Sequence, residues 1–137
     1  MKKRLVLDTN ILISGYLWKG KARQLLTYLK SSRYKLLICR ESLEEFVRVL
    51  SLKFAFDAED IYRIILDLRS MAEEIDIASN HAPIKEDPSD NLFINMAIDG
   101  KAKIIVSGDS HLLKLKEYKG IKIMSLNEFL KNLPDKE

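Results

Sequence analysis

The chain is poor in the residues that announce several common chemistries. It has one cysteine, Cys39, so no internal disulfide can form, and no Cys or His stands near it at metal-ligand spacing. A place in the core is expected for it. The five glycines are scattered and make neither a dinucleotide-binding nor a Walker phosphate loop. Of the two histidines, His81 falls in a loop and His111 just inside a helix two residues past Asp109, and neither has a Ser or Cys partner in a nucleophile setting. Histidine-centred catalysis is therefore not expected. No apolar run approaches the ~20 residues that cross a bilayer. The Met1-Lys2-Lys3-Arg4 start leads into a short strand rather than a secretory core with a small-residue cleavage site. The expectation is a cytoplasmic chain away from the membrane. An excess of one charge is also lacking: 23 basic and 20 acidic residues leave +3, so total charge does not announce a nucleic-acid binder.

Apolar residues are plentiful instead. At 47% hydrophobic and 31% charged the chain is not disordered, and 137 residues suit a single domain, residues 1–137, with a real core. Strand and helix signals alternate along it. Leu5-Val6-Leu7 reads as a buried strand, residues 11–18 as a helix buried on most sides and broken at Gly20, and Ala22, Leu25, Leu26 and Leu29 as the apolar stripe of a second helix. Leu36-Leu37-Ile38-Cys39 has the continuous apolar character of a strand covered on both faces. A third helix starts near Arg40 or Glu41, and a fourth follows an N-cap at Asp57. Residues 75–77 are a candidate short strand and residues 80–85 a loop. Asp87-Pro88-Ser89-Asp90 reads as a helix start with Asp87 as N-cap and Pro at the first position, and Gly100 as that helix's C-terminal cap signal. Strands at residues 103–106 and 121–124 follow, each leading into a helix, the last capped by Ser125. Such alternation calls for a mostly parallel sheet covered on both faces by right-handed crossovers.

Three acidic sites share comparable addresses in that scheme. Asp8 ends the first strand, Asp109 ends the strand at residues 103–106, and Asp87 with Asp90 opens a helix. Open parallel sheets place ligands at the carboxyl ends of their strands, so Asp8 and Asp109 can face each other despite their separation in sequence. Asp8 taken alone is equally a helix cap. The third helix offers a choice between neighbours. Glu44 lies on the polar flank with Arg48, an i,i+4 pair, whereas Glu45 lines up with Val49 and Leu52 on a partly apolar stripe. A carboxylate among apolar neighbours needs a partner, which makes Glu45 the functional candidate. Converging carboxylates repel and raise one another's pKa, a penalty that a divalent cation removes. Mg²⁺ or Mn²⁺, held by carboxylates and water, lowers the pKa of bound water and stabilises charge on a phosphodiester under attack. The chemistry implied is phosphate-ester hydrolysis. Basic residues gather at Lys19, Lys21 and Arg23 and at Lys114, Lys116, Lys119 and Lys122, which fits a positive rim around a negative pocket or an ordinary solvated surface.

Four stretches together resemble the PIN-domain family, of the VapC-like toxin ribonuclease type: LVLDTNILI at residues 5–13, SLEEFVRVL at 42–50, DPSDNLFINMA at 87–97 and IVSGDSHL at 105–112. The resemblance implies a three-layer α/β/α sandwich with a short, mostly parallel central sheet. It implies an acidic quartet of Asp8, Glu45, Asp90 and Asp109 around Mg²⁺ or Mn²⁺, with Asn10, Ser107 and Asp87 supporting the metal ligands from behind. Ser107 stands where a Thr or Ser usually precedes the last acid. It also implies endoribonuclease activity on RNA, a homodimer, and a separately encoded antitoxin protein as partner. Two alternatives belong to other classes. An RNA-processing nuclease or binding scaffold would keep the fold without an antitoxin. A receiver-type phosphoacceptor module would want a pair of acids after the first strand and an acceptor Asp after the middle one, where this chain has a single Asp8 and Cys39-Arg40.

Overall fold

The computed structural model describes residues 3–133, so the first two residues of the charged start lie outside it. Strand β1 (Lys3–Leu7) occupies the middle of a six-stranded sheet, and its Leu5, Val6 and Leu7 are buried. Helices α1 (Thr9–Leu17) and α2 (Lys21–Lys30) lead to β2 (Tyr34–Cys39), and α3 (Arg40–Leu52) and α4 (Ala58–Arg69) lead to β3 (Ala72–Ile75). A single 3-10 turn, Pro88–Asp90, opens α5 (Asn91–Asp99). Then come β4 (Ile104–Val106), α6 (Ser110–Leu115), β5 (Glu117–Tyr118), β6 (Ile121–Met124) and α7 (Leu126–Lys131).

The strand order is β3-β2-β1-β4-β6-β5, parallel throughout except for the β5–β6 pair. Alternation along each strand divides the core. Leu5, Leu7, Leu36, Ile38 and Val106 pack with α1 to α4 and Phe129 of α7. Val6, Leu37, Cys39, Ile105 and Ile123 face the opposite way, onto α5 and α6. Crossovers of one hand put their helices on one face while the chain moves outward from β1, and on the other face once it moves in the reverse direction. The layers of this α/β/α sandwich follow from that reversal. It falls between β1 and β4, and the crevice beyond their carboxyl ends is the ligand position of an open parallel sheet.

Several local expectations are revised. The short strand is Ala72–Ile75, not residues 75–77. Its Glu73 and Glu74 hide it from an apolar pattern. They are tolerated because β3 is an edge strand and the two acids pair with Arg4 at 3.1 Å and Arg69 at 2.9 Å. Strand β5 had no apolar run to reveal it. Its signal is the two-residue loop Lys119-Gly120 between the paired Tyr118 and Ile121, where both loop residues have positive φ (49° and 83°), the hairpin turn that a parallel-sheet reading passes over. Gly100 does cap α5, but with φ −88°; the left-handed residue is Lys101. Close packing requires the glycine, because a Cβ there would sit 2.3 Å from Leu37 Cδ1. Glu44 pairs with Arg40 at 3.7 Å rather than with Arg48. Cys39 is in the core as expected and also caps α3, where its backbone and sulfur exchange hydrogen bonds with Ser42.

Candidate metal centre

Asp8 lies one residue beyond β1, and its amide donates to the Val106 carbonyl at 3.2 Å, which continues the β1–β4 ladder to the sheet edge. Its Oδ1 accepts from the Ile11 amide at 2.9 Å and so caps α1. Its Oδ2 accepts from the Ser107 hydroxyl. The cap and the site are thus two oxygens of one carboxylate. Asp8 is only 4% exposed. Burial pushes its pKa up, against the hydrogen bonds from Ser107, Ile11 and Gly108, and the nearby charge of Asp109 adds to the rise.

Ser107 is fully buried immediately after β4, and its Oγ also accepts from the Asp109 amide at 2.9 Å. One hydroxyl therefore links the two acids that the sheet topology was expected to bring together. Asp109 caps α6 through Oδ2, which accepts from the amides of His111 (2.9 Å) and Leu112 (3.2 Å). Burial raises its pKa, but the neighbouring Asp90 carboxyl and these two amides outweigh burial and hold it below the usual carboxylate value.

Asp90 ends the 3-10 turn, and its amide donates to the Asp87 carbonyl at 3.0 Å. Burial, then the close approach of the Asp109 carboxylate, then the charges of Asp109, Asp87 and Asp8 push its pKa up to about 7. Its Oδ2 is buried with no donor beside it. Asp87 is not the side-chain N-cap that the sequence predicts; its Oδ1 accepts from the Ser89 hydroxyl at 2.6 Å. Asp87, Asp90, Asp109 and His111 each offer a ligand atom, and these atoms lie within 4.8 Å of one another.

The turn that carries Asp87 and Asp90 is anchored from α5. Asn91 bonds both the amide and the carbonyl of Ile84, each at 2.9 Å. Asn95 receives the Ser79 hydroxyl and the His81 amide and donates to the His81 carbonyl, and Asp99 receives the amides of Ala78 and Ser79. Three polar residues spaced by four on an otherwise apolar helix are the sequence signal for this anchor. His81 is part of the same support, with Nδ1 2.9 Å from the Tyr118 hydroxyl.

Glu45 lies outside the four-residue group. It is half-buried on α3 and accepts from the hydroxyl of Thr9, a buried residue, at 3.0 Å, while Glu44 is exposed. Thr9 is a participant that the sequence reading did not single out. Asn10, expected to support Asp8, is exposed and makes no hydrogen bond to it. The helix turns Asn10 outward, and the Ile11 amide and Ser107 occupy the carboxylate instead. His111 is the other omission: it came into view only as a catalytic base, not as a neighbour of the acids.

A buried carboxylate oxygen that faces other carboxylates is satisfied either by a proton or by a cation. Asp90 fits both descriptions, because its pKa is raised and its Oδ2 lacks a donor. An oxygen-rich group of this kind suits a hard divalent ion.

A parallel α/β sandwich with an acidic crevice at its switch point defines a class, and comparison with known proteins gives the family. The PIN domain model matches residues 4–111, and the chain belongs to that family. The PIN domain is a metal-dependent nuclease fold, and the acidic cluster here is able to bind such a metal. Among solved structures the chain is similar to PAE2754 from Pyrobaculum aerophilum, at 14% identity and a TM-score of 0.54 over 96% of each chain, a likeness of fold. No curated protein sequence matches it. Among the described residues no helix is long and apolar enough to cross a membrane.

Proposed function

We propose that the chain is an endoribonuclease dependent on Mg²⁺ or Mn²⁺, with Asp8, Glu45, Asp90 and Asp109 as its acidic centre. The observation that carries this reading is the unpartnered Oδ2 of Asp90 in the group with Asp87 and Asp109. Asp90 and Asp109 would hold the ion directly, with Asp87 beside them. Asp8 is joined to them through Ser107, and Glu45 is oriented by Thr9. When bound, the ion supplies a water of lowered pKa and stabilises negative charge on the phosphodiester. The carboxylates would orient that water, and Ser107 fixes the Asp8 carboxylate and opposes the rise in its pKa that burial causes. Exposed Lys114, Lys116, Lys119 and Lys122 provide charge for the RNA backbone. Lys21 and Arg23 of the earlier basic group are engaged with Asn127 and with the last carbonyls of α1.

The finer part of this proposal is the toxin component of a toxin–antitoxin system, acting in the cytoplasm as a homodimer. The homodimer part draws on a groove of about 590 Å³ between α3 and α4, with Leu43, Val47, Leu52 and Ile65 as its apolar lining and Glu44, Arg48, Ser51 and Arg69 as its polar one; Leu52 is 78% exposed. An exposed leucine in such a groove is a place where a second copy of the chain could pack. An antitoxin-like reading frame directly upstream supports the toxin role, and its absence favours RNA processing. The purified chain is expected to cleave RNA with Mg²⁺ or Mn²⁺ and to stop on addition of chelator. Activity undiminished in the Asp8→Asn, Asp109→Asn double variant would overturn the assignment.

A further inference from the structure

We infer that His111 is itself a ligand of the divalent ion, so that the centre offers a nitrogen donor beside its carboxylates and prefers Mn²⁺ to Mg²⁺; this rests on the metal-centre reading above. Among the described residues two buried side-chain polar atoms lack a partner, Asp90 Oδ2 and His111 Nδ1. Both residues belong to the group in which each side chain offers a ligand atom within 4.8 Å of the others. That coincidence is the basis of the assignment. One cation between them satisfies both.

The alternative partner for the ring is Asp109, and the distance argues against it. His111 Nδ1 stands 3.8 Å from Asp109 Oδ2, beyond hydrogen-bond range, and that oxygen already receives two backbone amides. Asp109 thus fixes the backbone of His111 without engaging its ring. The ring also lines a cleft of about 210 Å³ with Ile84, Glu86 and Lys114. A ligating Nδ1 needs its lone pair, so the proton resides on Nε2.

The donor set has a consequence for the choice of ion. Mg²⁺ takes oxygen ligands and gives up its waters reluctantly, whereas first-row transition ions gain from imidazole. An all-carboxylate centre would discriminate less between Mg²⁺ and Mn²⁺ than one that includes His111.

The test is electron spin-echo spectroscopy of Mn²⁺ bound to the full chain, with calorimetric titration of Mn²⁺ and Mg²⁺. Wild type is expected to show coupling from a directly bound ¹⁴N that changes to ¹⁵N on histidine labelling and survives His81→Gln. His111→Phe, which keeps a ring in the cleft, should lose the coupling and bind Mn²⁺ at least about 10-fold more weakly, with a smaller change for Mg²⁺. Should that variant fold poorly, as its metal-free melting curve will reveal, the labelled wild-type spectrum decides alone. Mn²⁺ that binds, is weakened by Asp90→Asn and shows no nitrogen coupling overturns the role of His111 while leaving the acidic centre intact. Failure of wild type to bind Mn²⁺ overturns both.

Discussion

Ser107 donates its hydroxyl proton to Oδ2 of Asp8, a residue 99 positions earlier, and so ties the ends of the two adjacent central strands together. The Ser107 Oγ also receives the Asp109 amide at 2.9 Å. A fully buried hydroxyl that serves one carboxylate and the backbone of another has no substitute nearby.

Ser107→Ala is therefore expected to cost about 1–3 kcal/mol, because it leaves a buried carboxylate oxygen without its donor. Urea unfolding of the metal-free protein measures this. A loss below about 0.5 kcal/mol would show that Asp8 finds another partner.

Asp90 makes the metal-free protein sensitive to pH. Its folded-state pKa of about 7 lies above the ordinary 3.8, so the folded chain retains a proton that the unfolded chain releases. The stability this contributes is fully present below about pH 4 and is lost as pH rises through about 7. Asp8, also raised, acts in the same direction. Asp67 and Asp99 are lowered, so their opposite contribution is lost only below their ordinary value, outside that window. In chelator, Asp90→Asn should gain on wild type in thermal midpoint between about pH 5 and pH 8, and added Mg²⁺ should stabilise wild type more at the higher pH. A difference between the two proteins that stays constant with pH would contradict the assignment.

Two adjacent acids on α3 should respond differently to the same change. Glu45→Gln is expected to reduce RNA cleavage by about 10–100-fold, the scale for groups that orient a metal site. Glu44→Gln, exposed and paired only with Arg40, should leave it unchanged. Initial cleavage rates at saturating Mn²⁺ compare them, and equal losses would remove Glu45 from the centre.

Gly100→Ala tests packing rather than chemistry. The added Cβ would sit 2.3 Å from Leu37 Cδ1 and 2.9 Å from the Met96 carbonyl oxygen. Overpacking of this kind costs about 1–3 kcal/mol, and the urea midpoint should fall accordingly.

Leu52→Glu addresses the groove between α3 and α4. At 78% exposure the side chain contributes little to the fold of one chain, so stability should change by less than about 0.5 kcal/mol. If the proposed homodimer forms through this groove, sedimentation velocity is expected to show a dimer for wild type and a monomer for the variant. An unaltered dimer would place the interface elsewhere.

Much of this protein is written locally. The apolar triplets at Leu5-Val6-Leu7 and Leu36-Leu37-Ile38 determine buried parallel strands, and the caps at Asp57 and Ser125 determine helix starts, because these depend on residues within one turn of each other. Even the nearness of Asp8 to Asp109, joined through Ser107, follows from strand alternation, since a parallel sheet brings strand ends to a common edge. Other features exist only in three dimensions. Glu73 and Glu74 form a strand because Arg4 and Arg69 meet them at the sheet edge. Asn10 points away from Asp8, and Thr9 rather than Asn10 takes a partner on α3, because the first turn of α1 decides which side chain faces inward. His111 joins the acids because Asp109 caps the short helix α6 and thereby sets where the next ring falls. A sequence specifies which groups are present and the period of each element, but the direction of a side chain at an element's end depends on how that end is capped and packed.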